Sequence, residues 1–128
     1  MKIDFIDIGA RHDERGFVIE MLTNIVGGAK EVLYIVTAPG ALRGNHYHES
    51  KKEVLCFLSG KATLAFEDNS TKEKKVFVID ADKKPSAVFV PVNVTHSILN
   101  SGVSNLVILE VSNQLYGENP DTFKKDIS

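Results

Sequence analysis

Hydrophobic and polar residues alternate over short stretches of this chain, and before Tyr116 no stretch sustains a helical period. The clearest case is Lys61-Ala62-Thr63-Leu64-Ala65-Phe66-Glu67, where a period of two puts Ala62, Leu64 and Phe66 on one face. Further segments rich in Val, Ile and Phe lie at Lys2–Ile8, Gly16–Leu22, Glu31–Thr37, Gly44–His48, Glu53–Leu58, Lys75–Ile79, Ala87–Val90, His96–Asn100 and Asn105–Val111. Gly, Pro, Asn, Asp or Ser separates many of them, as strands bounded by turns require. Ser59-Gly60 reads as a tight hairpin connection. Many short strands at even spacing predict an all-β fold, most simply a double-sheet jelly roll. Near the far end, Asn119 as N-cap and Pro120 at the first helical position predict a short C-terminal helical turn running to Lys125.

One strand breaks the alternation. In Glu53–Leu58, Leu55 and Phe57 share a face with Glu53, yet Val54, Cys56 and Leu58 opposite them are apolar too. A sheet covered on one side only should alternate. The outer face is therefore expected to be buried, by another segment of the chain or by a second subunit, and a homodimer is the preferred reading.

Composition narrows the picture. The chain has 128 residues, enough for a single domain spanning 1–128 with its own core. Hydrophobic residues make up 43% and charged residues 25%, which is globular rather than disordered. A formal net charge of −2 supplies no basic surface, so no nucleic-acid partner is expected. The first residues lack a signal-peptide apolar stretch and no window is long enough for a membrane span, so a cytoplasmic protein with no membrane partner is expected. Cys56 is the single cysteine and reads as a buried small hydrophobe.

The candidate chemistry lies in Arg43-Gly44-Asn45-His46-Tyr47-His48. His46 and His48 are two apart, so on a strand both rings face the same way. Glu53 opens the next strand and can point back at them, and His96 begins a late strand that could bring in a third imidazole. Such a set suits a divalent transition metal (Zn, Fe, Ni or Mn) at His46, His48, Glu53 and His96. Without metal it suits general acid–base work, because imidazole titrates near neutral pH. Spacing alone leaves both open. No organic cofactor is expected. His12, Lys51-Lys52 and Lys72–Lys75 read as solvated loops and turns.

These positions resemble a known pattern. Gly40-x5-His46-x-His48-x4-Glu53-x6-Gly60 is similar to the first cupin motif at every position. Pro91-x-Asn93-x2-His96-x3-Asn100 is similar to the second, with Asn93 where that motif has glycine and Pro85 where it has its leading glycine. The chain is identified as a member of the cupin superfamily, which implies a double-stranded β-helix. Asp13-Glu14-Arg15-Gly16, Glu31–Val36 and Arg43–His48 further resemble the cupins of nucleotide-sugar metabolism: dTDP-sugar 3,4-ketoisomerases, dTDP-4-dehydrorhamnose 3,5-epimerase and the cupin domain of capsular polysaccharide synthesis reductases.

That resemblance implies an isomerase or epimerase acting on a 4-keto-6-deoxy nucleotide sugar by proton transfer at C3, in surface polysaccharide biosynthesis. It implies His46 and His48 as proton-transfer groups, Tyr34 as an acid and Arg43 as a donor to oxyanion or diphosphate, with Asn45 and Tyr47 as further substrate contacts. Two positions depart: the ketoisomerases usually have glutamine at Glu53 and an aromatic at Thr95. Glu53 and the Arg-Gly-Asn-His-Tyr-His wording look more like the capsular-synthesis cupin, which retains metal ligands. A metal-binding cupin of other function stays open beside this reading, either a non-catalytic small-ligand binder or an iron-dependent oxygenase.

Overall fold

The computed structural model describes residues 1–6, 8, 10–19, 26–115 and 121–128. Among them are the strands β1 (Phe5–Ile6), β2 (Ala10–Asp13), β3 (Gly16–Ile19), β4 (Glu31–Thr37), β5 (Leu42–Tyr47) and β6 (Glu53–Ser59). The series continues with β7 (Lys61–Asp68), β8 (Lys74–Asp80), β9 (Ser86–Val90), β10 (Val94–Asn100), β11 (Leu106–Ser112) and β12 (Phe123–Lys124). Two five-stranded antiparallel sheets face each other, in the orders β1-β9-β6-β11-β4 and β12-β5-β10-β7-β8, and β2-β3 forms a separate ribbon. From β4 to β7, and again from β8 to β11, the chain switches sheet at every step. Two strand pairs thus wind round a common axis, a double-stranded β-helix, which is the form of jelly roll that the resemblance implies.

The core between the sheets comes from the inward positions of the alternating strands. Ala62, Leu64 and Phe66 meet Leu55, Phe57, Val88, Val90, Leu106 and Ile108, all at most 2% exposed. Fully burying a side chain of the larger kinds here contributes about 1.5–3 kcal/mol. A second apolar cluster lies on the other side of the first sheet. There Val54, Cys56, Ala87 and Val111 are buried under Ile8 and Val26, with Ile6, Ile19 and Leu58 packed against them. The outer face of β6 is therefore covered by earlier segments of the same chain, and its continuous apolarity does not call for a second subunit.

Three expectations change. Ser59-Gly60 is not a hairpin: β6 pairs with β9 and β11, β7 pairs with β8 and β10, and the turn carries the chain between sheets. Gly60 has φ +94° there, and an added Cβ would stand 2.8 Å from the Asn105 carbonyl oxygen, which only glycine tolerates. The expected helical turn is replaced, over its described part, by strand β12 pairing Phe123 with Tyr47 and Lys124 with His46; Asn119 and Pro120 lie outside the described residues. Backbone pairing against the open edge of β5 outweighs the weak helical start. Finally, Arg11–Asp13 are strand rather than loop, although His12 is exposed as expected. No helix among the described residues is long and apolar enough to cross a membrane.

Candidate functional site

The two histidine-bearing strands are neighbours: β5 pairs antiparallel with β10, and His46 stands directly opposite His96. Beyond that pair the register shifts, so Ser97 faces Gly44 and Asn45 is left as the extra residue of a bulge. Gly44 (φ +88°) and Asn45 (φ +54°) take the left-handed backbone such a bulge needs. Both His46 and His48 then project between the sheets. Their ring centroids lie 5.0 Å apart, with His96 at 4.7 Å from His46 and 5.7 Å from His48. Glu53, at the start of β6 in the facing sheet, enters from the other side. Its Oε1 is 3.1 Å from His96 Nε2 and 3.5 Å from His48 Nε2.

One potential ligand atom from each of His46, His48, Glu53 and His96 lies within 4.8 Å of the others. Glu53 is 1% exposed, His96 2% and His48 3%. Nevertheless His48 Nε2 and both Glu53 carboxylate oxygens have no hydrogen-bond partner among the described residues. Buried polar atoms are normally satisfied, and leaving one without a partner costs about 1–3 kcal/mol. Three such atoms converging from two sheets fit a cation that would complete their coordination, and an imidazole–carboxylate set suits a divalent transition metal. The four side chains could therefore hold a metal ion.

The electrostatics agree. Burial pushes the Glu53 carboxyl up, but the His48 and His96 rings and Glu110 overcome it and hold its pKa well below the usual carboxylate range. For His48, burial acts downward and is outweighed by Glu53, so its pKa is raised. His46 goes the other way: burial, then the charges of His96 and His48, push it down to about 4.

A cavity of about 490 Å³ opens in front of the cluster. Leu33, Ile35, Leu55, Ile98 and Ile108 form its apolar walls, while His46, His48, His96, Lys51, Glu110 and Arg43 form its polar side. Arg43 is exposed at its edge, anchored by Nε donating to Thr37 Oγ1 (2.7 Å) and Nη2 to the Val36 carbonyl (2.9 Å). Tyr34 is not in this space. Leu33 and Ile35 face the cavity, so the intervening Tyr34 points out of the sheet and is 68% exposed. Tyr47 likewise turns away and stacks on Phe123 with centroids 5.3 Å apart. Asn45 is occupied in holding the segment 125–127: its carbonyl accepts from Lys125 N (2.8 Å) and its Oδ1 from Ile127 N (3.2 Å).

Two polar residues of the cavity were not expected from sequence. Lys51, read as a solvated turn, is instead turned inward, with Nζ 3.6 Å from both Glu53 Oε2 and Glu110 Oε2 and its side chain 14% exposed. Glu110 lies on β11 among apolar residues, and burial together with Glu53 pushes its carboxyl up to about 9. Signals for both were present: Lys51 is two residues before Glu53, and Glu110 shares the inward period of Leu106 and Ile108. The second motif's residues have structural work. Asn93 (φ +58°) adopts the left-handed backbone that glycine otherwise supplies, and its N–H donates to the His48 carbonyl at 2.6 Å. Buried Asn100 donates through Nδ2 to the Thr37 and Ser104 carbonyls.

A family profile described as "Polysaccharide biosynthesis C-terminal domain" matches residues 11–123. The UDP-2-acetamido-2,6-β-L-arabino-hexul-4-ose reductase of Pseudomonas aeruginosa is 31% identical over 118 residues, which cover 91% of this chain and 31% of that protein. The chain thus spans about a third of that relative's length. The spore coat polysaccharide biosynthesis protein SpsL of Bacillus subtilis is 28% identical over 117 residues, covering 85% of this chain and 76% of SpsL. Among solved structures, a 3,4-ketoisomerase from Helicobacter canadensis superposes with a TM-score of 0.81 at 21% identity, covering 98% of this chain and 92% of that one. That last likeness is one of fold, and it agrees with the double-sheet jelly roll of this chain.

Proposed function

We propose, for a chain that belongs to the polysaccharide biosynthesis C-terminal domain family, that its cavity takes a 4-keto-6-deoxy nucleotide sugar and moves a proton at C3, as an isomerase or epimerase of surface polysaccharide sugar biosynthesis. The observation that carries this reading is the convergence of His46, His48, His96 and Glu53, three of their buried atoms lacking hydrogen-bond partners among the described residues, at the head of a cavity with leucine and isoleucine walls. The relative named for a UDP-linked hexul-4-ose supports a 4-keto sugar as the substrate class.

The keto group makes the adjacent C3–H acidic. Removing that proton sends the C–H electron pair into the C4 carbonyl and forms an enolate. Returning the proton to the opposite face of C3 inverts that carbon. Losing the C3 hydroxyl proton and protonating C4 through the enediol gives the 3-keto isomer instead. A metal held by His46, His48, His96 and Glu53 would supply Lewis-acid polarisation of the carbonyl. Lys51 Nζ and Glu110 Oε2 face the same space: Glu110, in the minor ionised form that a pKa of about 9 leaves at neutral pH, would take the C3 proton, and Lys51 Nζ, 3.6 Å from it, would deliver one to C3 or C4. Arg43, at the edge of the cavity, would donate to the diphosphate, and the leucine and isoleucine walls would receive the apolar parts of the sugar and exclude water.

A second reading is favoured by His46. With its pKa near 4 the ring is neutral at neutral pH, so in metal-free protein its lone pair would take the C3 proton directly. The two readings exclude each other for the same ring at the same moment. The test is exchange in heavy water: 4-keto-6-deoxy nucleotide sugars are incubated with the protein, and the C3 proton signal is followed by NMR, with and without a chelator. Exchange abolished by chelation supports the first reading, and exchange that survives it supports the second. No exchange across a panel of such sugars removes both.

A further inference from the structure

The cluster depends on a residue outside it. His48 directly follows β5 and Glu53 opens β6, so the loop 49–52 sets the placement of two of the four converging groups. Three successive N–H groups of this loop donate to the carboxylate of Asp121: Glu49 N to Oδ1 (2.9 Å), and Ser50 N (2.8 Å) and Lys51 N (2.7 Å) to Oδ2. Ser50 Oγ adds a fourth donor at 2.9 Å. A carboxylate gathering consecutive backbone N–H groups fixes the path of the loop, and here also the direction in which Lys51 leaves it. The carbonyl of the same residue lies 2.7 Å from His48 Nδ1, nearer than Thr122 Oγ1 at 3.4 Å. A carbonyl can only accept, so Nδ1 carries a proton, and Nε2 is the nitrogen that faces Glu53 and would ligate a metal.

We propose that Asp121 is a positioning residue for the metal-holding cluster: its carboxylate shapes the loop between the two ligand strands while its carbonyl selects the tautomer and orientation of His48. The segment does not need this carboxylate to stay in place. Phe123–Lys124 pairs with β5, and Lys125 Nζ donates to Glu67 Oε1 (2.6 Å) and Asn69 Oδ1 (2.9 Å). Removing the carboxylate should therefore loosen the loop without releasing the segment or withdrawing the carbonyl from His48. This inference rests on the metal reading for one of its two measurements and is independent of it for the other.

The test uses the full chain with Asp121→Ala, Asp121→Asn and a control, Asp80→Ala. Asp80 Oδ1 accepts from Asp82 N and Lys83 N in a turn that touches none of the cluster, so its loss reports on stability alone. Cobalt(II) affinity is measured by competition with a chromophoric chelator. Asp121→Ala should bind about 10–100-fold more weakly, the size of effect seen for outer-shell partners of a ligand histidine, with Asp121→Asn between it and wild type. Asp80→Ala should lower Tm and leave affinity unchanged. In metal-free protein, long-range nitrogen–proton NMR correlations at a pH where the ring is neutral should show the Nδ1–H form of His48 in wild type and also in Asp121→Ala, which keeps the carbonyl. If wild type takes up no cobalt, the metal reading fails while the ring spectrum still decides this one. The Nε2–H form of His48 in wild type, or cobalt affinity equal to wild type in Asp121→Ala, would overturn it.

Discussion

Glu53 Oε1 lies 3.1 Å from His96 Nε2, and through this contact the two sheets meet at the head of the cavity with both side chains buried. The carboxylate is held ionised there by the His48 and His96 rings and Glu110 in spite of its burial. Glu53→Gln keeps the size and removes the charge, so the fold should persist while a cation loses its only anionic ligand. Divalent metal affinity, read by chelator competition, should fall by at least about 100-fold, more than outer-shell changes cost. Stripping metal from wild type should lower Tm, since a ligand that binds only the native state stabilises it, and should leave the Tm of Glu53→Gln unmoved. Metal analysis of the purified protein identifies the ion. Stoichiometric iron with oxygen uptake would favour the oxygenase alternative.

The bulge beside the histidines is as constrained as the ligands. An added Cβ on Gly44 would stand 2.6 Å from the His96 carbonyl oxygen and 3.2 Å from Ser97 Cα, both backbone atoms that cannot swing away. The backbone conformation, φ +88°, is also one that L residues resist. Gly44→Ala should cost at least about 1–3 kcal/mol in denaturant melts. Because relief requires moving β5 against β10, metal affinity should fall along with stability. Wild-type affinity in a destabilised variant would show that the register of His46 against His96 tolerates a shift.

Tyr34 lies outside the cavity and Lys51 in its lining, the reverse of where the sequence placed them. Tyr34 faces out of β4, so Tyr34→Phe should leave heavy-water exchange at C3 within about twofold of wild type, an energy change below RT. Lys51 faces Glu53 and Glu110 inside the cavity. Lys51→Met preserves the stem and removes the ammonium, and loss of a proton-carrying group should slow exchange roughly 100- to 10,000-fold. Glu110, already pushed up to about 9, is neutral at neutral pH and leaves no new buried charge, so the variant should fold. An inactive Tyr34→Phe beside an active Lys51→Met would reverse the assignment.

What the sequence revealed follows from which forces act over short range. The period of two exposed Ala62, Leu64 and Phe66 as core and put His46 and His48 on one face, because alternation is a property of the strand itself. The motif spacing brought Glu53 and His96 to the same place, and Asn93 could stand for glycine because asparagine tolerates a positive φ. Sheet assignment was not legible. Gly60 looks like a hairpin turn locally, and only its contact with Asn105 and Leu106 shows that it is a corner between sheets. Tyr34 was misplaced because strand membership alone does not say which face is inside; the cavity-facing Leu33 and Ile35 decide that. Lys51 was taken for a solvated turn because lysine is rarely buried, and its partner Glu110 is far away in sequence. Asp121 accepts from loop residues 70 to 72 positions earlier, and no local pattern marks it.

His46 should give the protein a recognisable acid limb. Its pKa in the folded chain is about 4, against an ordinary 6.5, because burial and then the neighbouring His96 and His48 disfavour the charged ring. Between those two values the unfolded chain binds a proton that the folded chain refuses, so stability rises with pH across this window and the contribution is constant above it. His48 has the opposite shift and Glu53 a depressed one, so the total curve mixes several limbs. The His46 share is isolated by comparing wild type with His46→Asn in urea melts at a series of pH values, with chelator present throughout. Wild type should lose more stability than His46→Asn as pH falls from 6.5 towards 4, and the two curves should run parallel above pH 7. Because the ring is half-buried, solvent screening makes the effect smaller than the full shift implies, but its sign is fixed. Parallel curves over the whole range would mean that His46 titrates normally and has no proton-poor ring to offer a substrate or a metal at acidic pH.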